Sequence, residues 1–272
     1  MPQSAHREAP NLQTVDNVWS RMRVEAATDA AQEPILASFL SATILNHRDF
    51  KSALSYRLAQ KLSDSEMNAM QWREVATDAF EDSPGIVTAA LADIQAYVDR
   101  DPATKSTAQP FLHFKGYQAI QSYRIGHWLW KQGREALALY LQSRMSELYQ
   151  VDIHPASKLG RGLFFDHATA IVIGETASVG DNCSLLHEVT LGGTGKEKHE
   201  RHPKVGKGVL IGAGAKILGN IEVGDGAKIA SGSVVLEPVK AFCTVAGVPA
   251  QPVGECAEAA GEAMDHSLTK DD

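Results

Sequence analysis

The sequence predicts an α+β chain, an N-terminal α-helical bundle followed by a parallel β-helix, on three observations. Glycine is sparse before about residue 150 and dense after it. Apolar residues recur at helical spacing in the first part. In the second part they recur every six residues. A length of 272 residues fits one or two domains with a sizeable core, and 44% hydrophobic with 22% charged residues describes a folded soluble chain.

The first twelve or so residues are expected to be flexible, and His6, Arg7 and Glu8 stand where a secretory signal needs its apolar run. Ile35, Phe39, Ile44 and Leu45 are expected on one helix face. Leu54, Leu58 and Leu62 repeat at four-residue steps. The stretch Ile35 to Leu45 is too short and too interrupted by hydroxyl residues to span a bilayer. Ser83-Pro84 opens a helix with Ile86, Leu91 and Ile94 as its buried stripe, and Asp101-Pro102 closes it. A longer helix is expected from about Pro110 to Gln132, with Tyr117, Ile120, Tyr123, Ile125, Trp128 and Trp130 as core or subunit interface.

From Leu159, steps of six give Leu159, Phe165, Ile171, Ala177, Cys183 and Val189, and after a break Val205, Ile211, Ile217, Val223, Ile229 and Val235. All twelve are apolar, a run expected by chance about 5 times in 100,000. One inward residue per hexapeptide builds a triangular prism, three strands and 18 residues to a coil, stacked at about 4.8 Å. Glycines such as Gly160, Gly180, Gly212, Gly214, Gly224 and Gly226 suit its tight corners. About five coils are expected from Ile153 to Ala250, with a ten-residue insertion, Gly195 to Lys204, projecting from a corner as a polar loop. The implied division is a helical domain (1–150), a β-helix domain (151–250) and a tail (251–272).

A net charge of −7 disfavours general nucleic-acid binding. Three widely spaced cysteines fit a reducing compartment, so a cytoplasmic protein is expected, with no membrane association. Cys183, at an inward position, is expected to be inert core; Cys243 and Cys256 are uninformative.

The stretches VDIHPASKLGRG, FDHATAIVIGETA, VTLGGTGK, RHPK, IGAGAKILGNI and AGVPA resemble serine acetyltransferases, as do ASFLSATILNH, SALSYRLA, RDPA and YRIGHWLW in the helical half. Ala170 stands where that family usually has glycine, and IASGSV replaces its commoner IGAGSV. The resemblance implies a left-handed β-helix and transfer of the acetyl group of acetyl-CoA to the hydroxyl of L-serine within a ternary complex. It further implies O-acetylserine for cysteine synthesis, inhibition by L-cysteine at the serine site, and a homohexamer formed as a dimer of trimers. No metal is implied. Family members that dock into O-acetylserine sulfhydrylase end in isoleucine, whereas this sequence ends in Asp271-Asp272, so docking is expected to be weak or absent.

A serine hydroxyl needs a base as its proton leaves. The resemblance assigns that role to His167 in DHAT, with Asp152 in DIHP holding the imidazole, as in hydrolase triads. The fifteen residues between them approach one coil, which is expected to bring them side by side. A zwitterionic acceptor needs both signs of charge. Arg201, assisted by His202, suits its carboxylate, and Asp101 and Asp166 match family residues that hold the ammonium. Combining them implies a helical domain that packs over its own prism or reaches another's. Ala213, Ser231 and Pro249 stand 18 apart and are expected to stack on one edge, where small neighbours Gly212, Gly214, Gly232 and Gly247 allow backbone approach to an extended ligand, and Gly193 is assigned to the same cofactor. In the family this edge contacts CoA, and Lys228 or Lys216 is placed to meet its phosphates. His154 and His187 are expected to be structural. Two other classes stay open. One is a hexapeptide acyltransferase acting on a sugar hydroxyl, and the other a carbonic anhydrase using His167, His187 and His199 on zinc.

Overall fold

The computed structural model describes residues 12–195, 198–255 and 258–267, with side chains from Asn17 onward in the first helix. The expectations on residues before 12, on Cys256 and on Asp271-Asp272 fall outside these. Helices occupy the chain up to Tyr149 as α1 (Leu12–Gln32), α2 (Ala37–Leu40), α3 (Phe50–Leu62), α4 (Ala69–Asp82), α5 (Gly85–Arg100), α6 (Ala108–His113), α7 (Lys115–Lys131) and α8 (Glu135–Tyr149). Asp49 accepts the Ser52 N–H to cap α3, and an Asn68/Gln71 capping box starts α4. Leu54, Leu58 and Leu62 are buried as their spacing requires.

Two helical expectations are corrected. Ile35 is 85% exposed. A 3-10 turn at Pro34–Leu36 and a π turn at Ser41–Leu45 flank α2, so the angular step changes twice and Ile35 turns away from buried Ile44. The segment from Pro110 to Gln132 is two helices rather than one. Phe114, in extended conformation, separates α6 from α7.

From Val151 the chain winds a left-handed parallel β-helix. Face A stacks β1 (Val151–Ile153), β4 (Ile171–Ile173), β7 (Thr190–Gly192), β10 (Lys216–Leu218) and β13 (Val234–Val235). Face B stacks β2 (Lys158–Leu159), β5 (Ser178–Val179), β8 (Lys204–Val205) and β11 (Glu222–Val223). Face C stacks β3 (Phe164–Phe165), β6 (Ser184–Leu185), β9 (Leu210–Ile211), β12 (Lys228–Ile229) and β14 (Cys243–Gly247), and β15 (Ala250–Glu255) turns back antiparallel on β14.

The strand register corrects the uniform repeat. Val151 pairs with Ile171, a coil of 20 residues; Thr190 with Lys216, a coil of 26; Lys228 with Thr244, a coil of 16. The surplus over 18 is two residues at the corner 166–170 and eight, rather than ten, before Lys204. Each hexapeptide has two inward positions, a large aliphatic and, four residues on, a second apolar side chain. The two extra residues move the six-step series from the first kind (Leu159, Phe165) to the second (Ile171, Ala177, Cys183, Val189), and the eight-residue insertion moves it back at Val205. Of the twelve, Leu159 alone is half-buried and the others are buried.

The helical layer packs on the first coil of the prism, α5 and α7 against β3 of face C and α7 and α8 against β1 of face A. Asp93, fully buried, accepts from Arg124 Nη2 (2.7 Å), Gln121 Nε2 (2.9 Å) and the Leu163 backbone N–H (2.9 Å), tying α5 and α7 to the prism. Tyr97 Oη donates to the Phe165 carbonyl (2.9 Å) and accepts its N–H (3.2 Å), with its ring edge-on to Phe164. Farther up, residues 258–267, including the short helix α9 (Ala260–Ala263), cover face C. Ser184 Oγ donates to the Gly261 carbonyl (2.5 Å), and the Gly261 N–H to that of Gly208 (2.7 Å).

Candidate active site at two corners of one face

The two corners bordering face A hold the predicted site residues. At the corner between faces C and A, the chain Asp166–Ala170 absorbs the two extra residues. His167, Ala168 and Ala170 all take left-handed backbone conformations, with φ of 55°, 60° and 59°, each costing a non-glycine residue roughly 1–2 kcal/mol. Ala170 thus occupies a conformation for which glycine is the natural residue. The corner is pinned from both sides, by the Ala170 N–H on the Gln150 carbonyl (2.7 Å) and the Glu188 N–H on that of Thr169 (2.7 Å). It presents the His167 side chain 77% exposed, with Nε2 3.8 Å from Asp166 Oδ1. The His187 ring stands one coil above, centroids 6.0 Å apart. Its Nδ1 is buried without a partner. An orphaned N–H costs more than an orphaned lone pair, which favours the tautomer with the proton on Nε2.

Asp101 caps the C-terminal end of α5, in the helical layer. Its carboxylate accepts from the Ala103 N–H (2.8 Å) and Thr104 Oγ1 (2.6 Å), leaving lone pairs on both oxygens. Asp101 and Asp166 both act on the buried Tyr97 hydroxyl. Its pKa lies well above the ordinary value, first through burial and then through Asp93, Asp166 and Asp101, so it remains a donor.

Arg201 and His202 sit at the other corner, between faces A and B. In the 26-residue coil they stack directly on Glu175 and Thr176. The Arg201 guanidinium pairs with the Glu175 carboxylate, whose pKa it holds below the usual range. His202 Nδ1 accepts the Thr176 N–H (3.2 Å), which places the ring proton on Nε2. Burial, then Arg201, lowers the His202 pKa and keeps the ring neutral. Thr176 Oγ1 accepts the backbone N–H groups of both Arg201 and His202 (3.1 Å each). A Cβ on Gly174 would overlap the His202 ring, so only glycine lets the imidazole lie there.

Residues 18–122 match the family described as "Serine acetyltransferase, N-terminal", and residues 202–237 the "Bacterial transferase hexapeptide (six repeats)". A serine acetyltransferase of Escherichia coli strain K12 is 56% identical over 245 residues, spanning 90% of both chains. A solved serine acetyltransferase in complex with cysteine superposes with TM-score 0.91 at 52% identity, covering 92% of this chain and 98% of that one. A Brucella abortus serine acetyltransferase in complex with coenzyme A gives 0.89 at 51% identity, covering 92% and 100%. The chain belongs to the serine acetyltransferase family.

Within this family member, Asp166 and His167 share one corner of face A, with Asp101 acting with Asp166 on Tyr97, while Arg201, His202 and Gly193 gather at the other. A Cβ on Gly193 would stand 3.2 Å from the Arg201 carbonyl. Asp152 lies between the corners, on β1, in register with Val172 rather than beside His167. Its carboxylate accepts from Gln142 Nε2 (2.7 Å), and no hydrogen bond among the described residues joins it to His167.

Of the residues expected on the CoA edge, part fall in one column. The Gly214 N–H donates to the His187 carbonyl (2.9 Å) and the Gly232 N–H to that of Ala213 (2.8 Å), so Ala213 and Ser231 continue the column above His167 and His187. A Cβ on Gly232 would meet nothing within 4 Å, which leaves the backbone open to an extended ligand. Pro249 is displaced from this column. The last coil has 16 residues, and Pro249 falls in the turn between β14 and β15. Lys228 is displaced too. It leaves face C, where Nζ is held by Asp265 Oδ2 (3.3 Å) and the Ser267 carbonyl (2.8 Å). Lys216 lies at the column itself, donating to the Glu188 (2.7 Å) and Gly214 (2.9 Å) carbonyls.

Sequence reading passed over Glu175 and Thr176, although the pairing becomes arithmetic once the 26-residue coil is known. His154, at the same corner, packs its ring on Trp130, and Cys183 is buried with its thiol pushed up to about 12. Among the described residues no group of three or more His, Cys, Asp or Glu is placed to hold a metal, and no helix is long and apolar enough to cross a membrane.

Proposed function

We propose that the protein transfers the acetyl group of acetyl-CoA to the hydroxyl of L-serine, giving O-acetyl-L-serine and CoA. The observation that carries this reading is the distribution of charge around face A. A carboxylate and an exposed imidazole stand at one corner, with a second carboxylate in the helical layer, and a braced guanidinium with a neutral imidazole stands at the other. A small zwitterion bearing a hydroxyl needs both sets. Because a whole prism face separates them, the site is completed between copies, one chain's His167 corner against its neighbour's Arg201 corner, in a trimer that pairs into a hexamer.

His167 takes the hydroxyl proton as the serine oxygen bonds to the thioester carbon, and returns it to the CoA sulfur as the C–S bond breaks. No acyl-enzyme is needed when both substrates are held together. Asp152 is assigned to steadying the imidazolium, exchanging Gln142 for His167 when the site is assembled. Asp101 and Asp166 take the ammonium, and Arg201 with His202 the carboxylate. Ala213, Gly214, Ser231 and Lys216 line the edge for the pantetheine arm and phosphates, with Gly193 brought from the neighbouring copy. L-cysteine presents the same ammonium and carboxylate and is expected to compete with serine; a relative is known in complex with cysteine. The enzyme is assigned to the cytoplasm.

Thiol release from acetyl-CoA tests the reading, with L-serine as acceptor and a galactoside and glucosamine as controls. Release that depends on serine and collapses in His167→Ala is expected. Release with the sugars but not with serine would keep the fold and base and overturn the amino-acid site.

A further inference from the structure

Lys115 is the first residue of α7, where a cation is out of place. The opening turn of a helix carries unsatisfied N–H groups and the positive end of the macrodipole, so an ammonium there is repelled. Among the described residues no carboxylate pairs with it. Its Nζ donates instead to Thr169 Oγ1 at 2.5 Å. Thr169 lies between Ala168 and Ala170, two of the three left-handed residues of the corner that bears His167. The next residue, Gly116, presses on the same corner. A Cβ there would overlap the Phe165 carbonyl oxygen and stand 3.1 Å from Ala168 Cβ. The start of α7 is thus built against residues 165–169 as closely as a backbone allows.

The His167 ring is mostly exposed, with Asp166 at 3.8 Å and the His187 ring at 6.0 Å as its neighbours. Within its own chain, before a neighbouring copy closes over the corner, so little packing does not by itself fix the direction of the imidazole. Its aim is inherited from the backbone of the corner, and a strained backbone persists only where surrounding contacts over-determine it.

We propose that Lys115 is a positioning residue for acetyl transfer: by gripping the Thr169 hydroxyl it fixes the 166–170 corner and so the direction of the His167 ring. The proposal rests on the reading of His167 as general base. Misplacing a reacting group by about 1 Å costs up to about 10²-fold in rate. Lys115→Met and Thr169→Val are therefore expected each to lower kcat roughly 10- to 100-fold. KM for acetyl-CoA should stay within about twofold, because the CoA edge lies higher in the prism. Thr169→Ser, which keeps the hydroxyl, should restore kcat. The double variant should be no worse than the more damaged single one, since both remove one link.

The proposal is overturned if Lys115→Met or Thr169→Val keeps wild-type kcat, whether or not its melting temperature falls. It is equally overturned if Thr169→Ser is as slow as Thr169→Val, or if the two losses multiply in the double variant. His167→Ala, assayed beside them, separates the two claims. Activity retained in His167→Ala removes the base and this proposal with it. An inactive His167→Ala beside a fully active Lys115→Met removes only the role of Lys115.

Discussion

Within one chain His167 is exposed where most histidines of a folded core would be packed, which suits the base proposed for the reaction. Its replacement by alanine should lower kcat by about 10²- to 10⁴-fold with little change in melting temperature. Ala170 makes an opposite kind of prediction. At φ 59° its Cβ is strained, and Ala170→Gly should stabilise the fold by about 0.5–1 kcal/mol after the added chain entropy of glycine. Thermal denaturation reads this directly, and a destabilised variant would show the corner to be relaxed as it stands. Glu175→Gln, which removes the charge bracing Arg201, should raise KM for serine about tenfold and move kcat less. At this scale the motifs DHAT, RHPK and RDPA pointed to His167, Asp166, Arg201, His202 and Asp101, the residues proposed for the site. Glu175 was hidden because its partner lies 26 residues away, a spacing no sequence period announces.

The elements show why. A period of six was plain in the sequence because the inward residues must be apolar, yet apolarity does not tell one inward position from the other. Two extra residues at the His167 corner and eight before Lys204 therefore passed as one unbroken series and one longer insertion. The same blindness to register put Pro249 on the CoA edge. Helix ends were legible where proline or a capping residue marks them, as at Ser83-Pro84. The break at Phe114 was not, since its cause is tertiary: α7 must restart where Gly116 can meet the prism. The joint between α5, α7 and the β-helix is centred on Asp93. Asp93→Ala would leave Arg124 buried without its charge partner and the Leu163 N–H without an acceptor, and should cost about 3–5 kcal/mol. A urea unfolding midpoint near that of wild type would contradict the assignment.

The whole molecule carries a pH signature. Burial is the largest cause lowering the pKa of His47, His113, His127, His154 and His202 below 6.5. The unfolded chain then binds protons that the folded chain refuses, so stability falls as pH drops below that value. Melting temperature should decline steadily from pH 7 to pH 5, and a flat profile would mean these rings accept protons in the fold.

Assembly is the larger question, because the two groups of residues proposed to hold serine stand on opposite edges of face A. Purified His167→Ala and Arg201→Ala variants should each show almost no serine-dependent CoA release. Mixed in equal amounts under subunit exchange, about a quarter of the sites pair an intact His167 corner with an intact Arg201 corner, and activity should rise toward that fraction of wild type. Activity that stays at the level of the separate variants after verified exchange would place the whole site within one chain and contradict the account.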